Sequence, residues 1–346
     1  MNSGCPIPWS SLMLLPNSIG PECRLGTQFK DPTPNISLIE LWNSNEFKEL
    51  RVRHFRNDPP ETCQDCATRN IGLEHYRQFD SIMMTEDVHK NFQANQAEYL
   101  AGEIHLKSLP ITVSSDLLYS CNFSCSLCTL KYSREKVADS HIQEIFNEIS
   151  PKLVTMHFSG GEPLLDKRFT KFLSRAPHPD IALSITTNGS LINSDILNDL
   201  SRFAYVNLHI SIDSFNSDVF QELRPGPLGL EAILERVSWA IEYRDRINTK
   251  MNDQRWYIAL QIVPVSKNIP ELAEYIRNAA ELGVNEISIC PVSGDHPDDD
   301  YLEYPELLPD LDRAQTIEDI IASTKKYPAL DTTSIIDYLS ELSESI

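Results

Sequence analysis

The chain has 346 residues, 41% of them hydrophobic, enough to fill a substantial core as one large or two modest domains. Its formal net charge of -20, from 30 Lys plus Arg against 50 Asp plus Glu, argues against a broad nucleic-acid or anionic-membrane surface. No apolar run approaches the ~20 residues of a membrane span, and no basic region of a signal peptide precedes the short Leu12 to Leu15 stretch.

Four of the cysteines come early. Cys5, Cys23, Cys63 and Cys66 form C-x17-C, a gap, then C-x2-C, a pattern that standing alone reads first as structural zinc. Residues 71–108 form a linker, partly helical, and the first strand of an alternating pattern begins near Ile111. That strand leads into Cys121-Asn-Phe-Ser-Cys125-Ser-Leu-Cys128, the most informative feature of the chain. Its C-x3-C-x2-C spacing offers three thiolates, whereas a cubic [4Fe-4S] cluster normally takes four, so one iron would be left open to a substrate or cofactor. A zinc knuckle or unrelated buried thiols are the alternatives.

Between Leu109 and Cys290 short strands alternate with helical patterns, which predicts βα units and a parallel sheet. Six strands are expected, beginning near Ile111, Leu153, Ile181, Val206, Tyr257 and Glu286. The first helix has Ser140 as its predicted cap, Gln143 at the capping-box position, and one apolar stripe of Ile142, Ile145, Phe146 and Ile149. The strands do not read as continuous apolar runs. Val154, Met156 and Phe158 alternate with Thr155, His157 and Ser159; Leu183 and Ile185 with Ser184, Thr186 and Asn188; Leu208, Ile210 and Ile212 with Asn207, His209, Ser211 and Asp213. Period two with one polar face predicts that this face sees a solvated or ligand-filled space. His209 on it is a candidate proton acceptor, against the plainer reading of a buried histidine satisfied by backbone or a hydroxyl. Cys290, in Ser288-Ile289-Cys290-Pro291, falls on the same kind of face and is a candidate hydrogen-atom donor or spare ligand, against a simply buried thiol. Beyond it Asp295, Asp298, Asp299, Asp300, Glu303, Glu306, Asp310 and Asp312 crowd a Pro-rich stretch, so 293–346 reads as an acidic tail, partly helical and solvated.

The cysteine run, together with His157-Phe158-Ser159-Gly160-Gly161-Glu162-Pro163 downstream of it, resembles the radical SAM superfamily. The resemblance implies an α/β fold, a partial (β/α)6 TIM-like barrel over 109–292, in which the polar strand faces line the lumen. Cys121, Cys125 and Cys128 would hold the cluster, and S-adenosylmethionine (SAM) would chelate the fourth iron. Gly160 and Gly161, followed by Glu162 and Pro163, would let backbone approach the methionine amino group, with Glu162 facing that cation. Asn188 in Thr187-Asn188-Gly189, and Ser211 with Asp213, look like strand-end segments that line the SAM pocket. Arg224, in Leu223-Arg224-Pro225-Gly226, resembles an arginine that meets a carboxylate. Their structural alternatives are a common turn for Thr-Asn-Gly and a surface position for Arg before Pro.

The early cysteines, with Gly20, Ile39-Glu40-Leu41-Trp42-Asn43-Ser44 and Leu50-Arg51, resemble the twitch or half-SPASM domain, which carries one auxiliary [4Fe-4S] cluster. Residues 1–70 would then be a small cysteine-rich iron-sulfur domain, fully ligated by four thiolates, with zinc as the alternative. It precedes the barrel here, whereas in most relatives it follows. The implied reaction is reductive cleavage of SAM to a 5'-deoxyadenosyl radical that abstracts hydrogen, with a second electron leaving through the auxiliary cluster to give net oxidation. Redox-neutral or methyl-transfer chemistry, and a non-catalytic iron-sulfur binding protein, are the alternatives. The implied partners are a reducing donor such as flavodoxin or ferredoxin and a substrate among sugars, cyclitols, glycans and peptides. With thiols reserved for metal, the cytoplasm is the expected compartment.

Overall fold

A computed structural model describes residues 4–23, 29–30, 36–63, 66, 71–126, 128, 130, 133–175, 180–290 and 313–344. The chain divides into two compact units: Met1–Ser120 with Ser133–Ser184 and Arg202–Tyr205, and Cys121–Tyr132 with Ile185–Ser201 and Val206–Ile346.

In the first unit the N-terminal third joins the sheet. β1 (Ser11–Leu15), β2 (Ser18–Gly20) and β3 (Phe29–Lys30) precede β4 (Thr112–Asp116), β5 (Thr155–Ser159) and β6 (Ala182–Thr187), in the order β3-β2-β1-β4-β5-β6. Pro16 and Asn17 turn β1 back onto β2, while β1 runs parallel to β4 from Ser11↔Thr112 to Leu14↔Ser115. The apolar stretch Leu12 to Leu15 is therefore a sheet strand, and Leu12 and Leu14 are fully buried.

Arg51 organises the packing beneath these strands. On the helix Asn45–Phe55, it is fully buried and donates Nε to Pro8 O at 2.9 Å, Nη1 to Ile104 O at 3.0 Å and Nη2 to Trp42 O at 2.8 Å. Its guanidinium lies 4.7 Å from the Trp42 ring centre. Burial draws Arg51 down to about 9. The buried Glu144 carboxylate accepts from Leu38 N at 2.7 Å and Ile39 N at 3.0 Å, capping the helix Leu38–Trp42 from outside with an anion at its positive end.

The helix predicted after β4 forms, but not with the expected cap. Its α-helical part is Asp139–Glu144, and its N-cap is Ala138, which makes no side-chain bond. Ser140 lies inside the first turn. Asp139 supplies the negative charge at this end instead, and Arg168 holds it at 2.6 Å. From Ile145 to Ile149 the helix widens to the π form, and all four residues of the expected stripe stay buried.

In the second unit β6, which has residues in both units, is followed by β7 (Tyr205–Ser211), β8 (Trp256–Ile262) and β9 (Glu286–Ile289), in the order β6-β7-β8-β9. β7 to β9 are mutually parallel. The six strands expected from the sequence are thus β4 to β9. Alternation is plain in the burial: Leu208 and Ile210 are buried, whereas Asn207 and His209 are half-buried. The acidic stretch from Asp295 to Asp312 lies outside the described residues. After it, Asp331 bridges to Glu286 at the edge of β9, and Ser334 donates Oγ to Ile287 O at 2.8 Å. The helix Thr333–Glu344 buries Ile335 and Leu339 behind that edge. No described helix is long and apolar enough to cross a membrane.

Candidate functional site

In the second unit the cysteine loop Cys121–Cys128 is flanked by donors from the end of β6 and from the C-terminus of the helix Ser217–Leu223. The Asn188 amide, just past β6, lies 3.6 Å from the Cys121 sulfur and donates to Asn122 Oδ1 at 2.9 Å. Asn122 in turn donates to the Ser190 hydroxyl at 2.9 Å, and Ser190 returns its hydroxyl to Asn188 Oδ1 at 2.6 Å. This closed triangle fixes the amide orientation, so that an N–H faces the sulfur. On the other side Arg224 sends Nη1 to within 3.8 Å of the Cys125 sulfur and pairs through Nε with Asp213 at 2.5 Å. Asp213, 1% exposed, also accepts from Val263 N at 2.8 Å. The carboxylate that Arg224 meets is therefore the chain's own. The backbone closes the arrangement: Ser124 N donates to Pro225 O at 2.7 Å and Ser126 N to Leu223 O at 3.0 Å. Gly226 is required there, because a Cβ would fall 2.4 Å from the Phe123 ring.

Burial pushes the Cys125 thiol up to about 11, against the pull of Arg224, and Cys121 and Cys128 are close enough to raise it further. Three neighbouring thiols with N–H donors on two of them suit a group that keeps sulfur anionic, since coordination deprotonates a thiol outright. The donor set therefore fits an iron-sulfur cluster.

In the first unit Gly160 and Gly161 leave β5 and lie against the chain leaving β4. Gly161 N donates to Leu118 O at 2.8 Å and Glu162 N to Ser120 O at 3.0 Å. A Cβ at Gly161 would stand 2.1 Å from the Ser120 carbonyl oxygen, and Gly160 has φ +105°, so neither position admits a side chain. Glu162 is fully buried and accepts from Leu164 N at 3.1 Å, starting the short turn Pro163–Leu165. Asp116, at the end of β4 and against Gly160, accepts from the Ser159 hydroxyl at 2.6 Å, and burial raises its carboxyl above its ordinary value. Sequence reasoning missed Asp116, Asn122 and Ser190. Extending the alternation to β4 finds Asp116, since the register Thr112↔Thr155, Ser114↔His157 and Asp116↔Ser159 sets two polar faces side by side.

The four early cysteines come together in the same unit. Cys5, Cys23, Cys63 and Cys66 line one cavity of about 360 Å³, with His54, His75 and Gln78 on its wall. Burial pushes the Cys5 thiol up to about 12, and the neighbouring Cys23, Cys66 and Cys63 add to that rise. Cys63 Sγ is 3.9 Å from His54 Nε2. Thr112 and Thr155, the first residues of β4 and β5, also line the cavity, whereas Gly160 follows the last residue of β5. The cavity and the double-glycine turn therefore lie at opposite ends of the same two strands, each about 15 Å long at ~3.3 Å per residue.

The remaining candidates stand in the second unit. His209 is half-buried on β7, and burial lowers its pKa. Ser211 closes β7 at 9% exposure, and Cys290 follows β9 with its N–H donated to Ile262 O at 2.9 Å.

Residues 117–252 match the Radical SAM superfamily model. This segment is a radical SAM domain. The chain is 26% identical over 179 residues to the tungsten-containing aldehyde ferredoxin oxidoreductase cofactor-modifying protein of Pyrococcus furiosus, covering 48% of this chain and 47% of that protein. It is 24% identical over 180 residues to mycofactocin maturase MftC of Mycolicibacterium smegmatis, covering 50% and 43%. With the S-adenosylmethionine-dependent nucleotide dehydratase of Lacinutrix mariniflava the identity is 25% over 293 residues, covering 70% and 59%. The chain spans about half the length of the curated relatives it matches. Streptococcus suis SuiB bound to S-adenosylmethionine superposes with a TM-score of 0.52 at 13% identity, over 93% of this chain and 70% of SuiB. The fold is thus the partial TIM barrel of radical SAM proteins, with a cysteine-bearing N-terminal region joined to its sheet.

Proposed function

We propose that the chain is a radical SAM enzyme that oxidises its substrate with the help of a second, N-terminal [4Fe-4S] cluster. When bound, the three-thiolate cluster supplies reductive cleavage of the SAM carbon–sulfur bond and so a radical that abstracts hydrogen. Cys121, Cys125 and Cys128 hold that group, while the N–H groups of Asn188 and Arg224 stabilise anionic sulfur. Gly160 and Gly161 leave room for the methionine end of SAM, and Glu162 carries the charge complementary to its amino group. Ser211 and Asp213 stand in the second unit with the three-thiol loop, where Asp213 holds Arg224 in place. Burial lowers the pKa of His209 and so favours the neutral form required of a proton acceptor. Cys290 is a reserve hydrogen-atom donor.

One observation carries the oxidative part: all four early thiols line a single cavity at the amino ends of β4 and β5, away from the turn that carries Gly160. A group held there is well placed to take an electron from a substrate lying along the polar strand faces. The polar lining of those faces favours a hydroxyl-rich or peptide substrate, and a flavodoxin or ferredoxin of the cytoplasm is the proposed electron source. Anaerobic reconstitution tests the reading: wild-type protein should bind about eight irons, as two [4Fe-4S] clusters. Cys63→Ala with Cys66→Ala should lose about half of them and keep SAM cleavage. Stoichiometric zinc in anaerobically purified protein would overturn the assignment.

A further inference from the structure

On the wall of the four-thiol cavity stands a buried ring nitrogen with no hydrogen-bond partner among the described residues. His75, on the short helix Glu74–Arg77, lines the cavity and is only 7% exposed. The Gln78 side-chain amide stands 3.0 Å from its Nδ1. An amide N–H donating there makes Nδ1 the acceptor and leaves the ring proton on Nε2. Nε2 is buried and has no hydrogen-bond partner among the described residues. The ring is not free to turn toward solvent, because it packs edge-on against Tyr76 at 5.4 Å and Phe79 at 5.6 Å. Leaving a buried donor unmet forfeits its hydration without a replacement and is unfavourable. A site that keeps one on the wall of a thiol-lined cavity is shaped for an acceptor that the described residues do not supply.

We propose that His75 donates its Nε2–H to a sulfur of the iron-sulfur group held by Cys5, Cys23, Cys63 and Cys66, and thereby sets the reduction potential of that group. This rests on the auxiliary-cluster reading above. Reduction adds a negative charge to the cluster, and a hydrogen bond to sulfur favours the more negative state, so the donor raises the potential. His54, near Cys63 on the same wall, is the comparison: its Nε2 already faces a protein sulfur. His75 is in this sense a positioning residue that tunes an electron acceptor.

The test is a potentiometric titration of the reconstituted full-length protein followed by EPR, for wild type, His75→Phe and His75→Gln. His75→Phe should shift the midpoint of the N-terminal cluster to lower potential and leave that of the three-thiolate cluster where it was. His75→Gln, which keeps an N–H near the Nε2 position, should return most of the shift. Unchanged midpoints in His75→Phe, with both clusters loaded, overturn the inference. If His75→Phe does not fold, protein labelled with 15N-histidine and carrying His54→Gln gives the same decision: a histidine nitrogen coupling to the N-terminal cluster supports the hydrogen bond, and no coupling overturns it. A wild type holding only about four irons, with one cluster signal, overturns the auxiliary-cluster reading instead.

Discussion

Both cysteine sites are backed by an arginine, Arg51 fully buried and Arg224 with 11% of its side chain exposed, and the two are neutralised in different ways. Arg224 stands against Asp213, one cation to one carboxylate, with the Cys125 sulfur on its other face. Arg51 donates to carbonyl oxygens of Pro8, Ile104 and Trp42 and lies over the Trp42 ring, while Pro8 and its own neighbour Leu50 line the four-thiol cavity. The difference separates two tasks. An ion pair beside a thiol holds charge next to that sulfur, and its strength depends on both partners staying ionised. A cation spread over carbonyls and a ring fastens backbone segments together and adds no anion near the cavity.

The sharpest way to break this comparison is to remove thiols from each site in turn. Cys125→Ala should abolish formation of 5'-deoxyadenosine by the reduced, reconstituted protein, whereas the Cys63→Ala, Cys66→Ala pair should continue to form it. Cleavage at an undiminished rate in Cys125→Ala would sink the role given to the three-thiol loop. Next in size is Asp213→Asn, which strands Arg224 as a largely buried, unpaired cation at a cost of about 3–5 kcal/mol. Denaturant midpoints should show that loss, and SAM cleavage should fall with it. Arg51→Met should cost less, about 2–4 kcal/mol, because the orphaned carbonyls are neutral. Its signature is selective: the N-terminal irons should be lost first while cleavage of SAM persists. Equal loss of both clusters would mean that Arg51 holds the whole fold rather than one site.

How much of this was legible in the sequence depended on whether the signal was local. β4 to β9 announced themselves because period two survives in Thr155 to Ser159 and Asn207 to Ser211, where one face is buried and the other is not. β1 did not. Ser11–Leu15 reads as a plain apolar run, and its partner β4 lies beyond the entire N-terminal third, so no window of sequence contains both. The same limit applies to the sites. The spacing of Gly160 and Gly161 after the cysteine run could be read directly, but the Ser120 carbonyl that forbids a side chain at Gly161 is a tertiary contact. Spacing also could not say that Cys5 and Cys66 share a cavity. The Ser140 cap failed for an electrostatic reason: Asp139, one residue earlier, is held by Arg168 from another helix.

The smallest expected effect concerns His209, and it sharpens the difference between a residue placed for chemistry and one placed for packing. Burial lowers its pKa below the ordinary value of about 6.5, so the folded protein resists a proton that the unfolded chain accepts. The unfolded state then binds more protons at mildly acidic pH, and stability must fall as pH drops below about 6.5 and recover above it. His209→Gln removes this titration. The gap between wild type and variant, read from denaturant midpoints at pH 7.5 and pH 5.5, should therefore move in favour of the variant at the lower pH. At neutral pH the two readings of His209 part company. A histidine that only packs leaves substrate conversion per folded molecule intact when replaced, whereas a proton acceptor leaves SAM cleavage intact and substrate conversion lost. Retention of both activities in His209→Gln, together with the pH-dependent gain, would assign His209 to the core and leave the proton to another group on the polar faces, with Asp116 the first to examine.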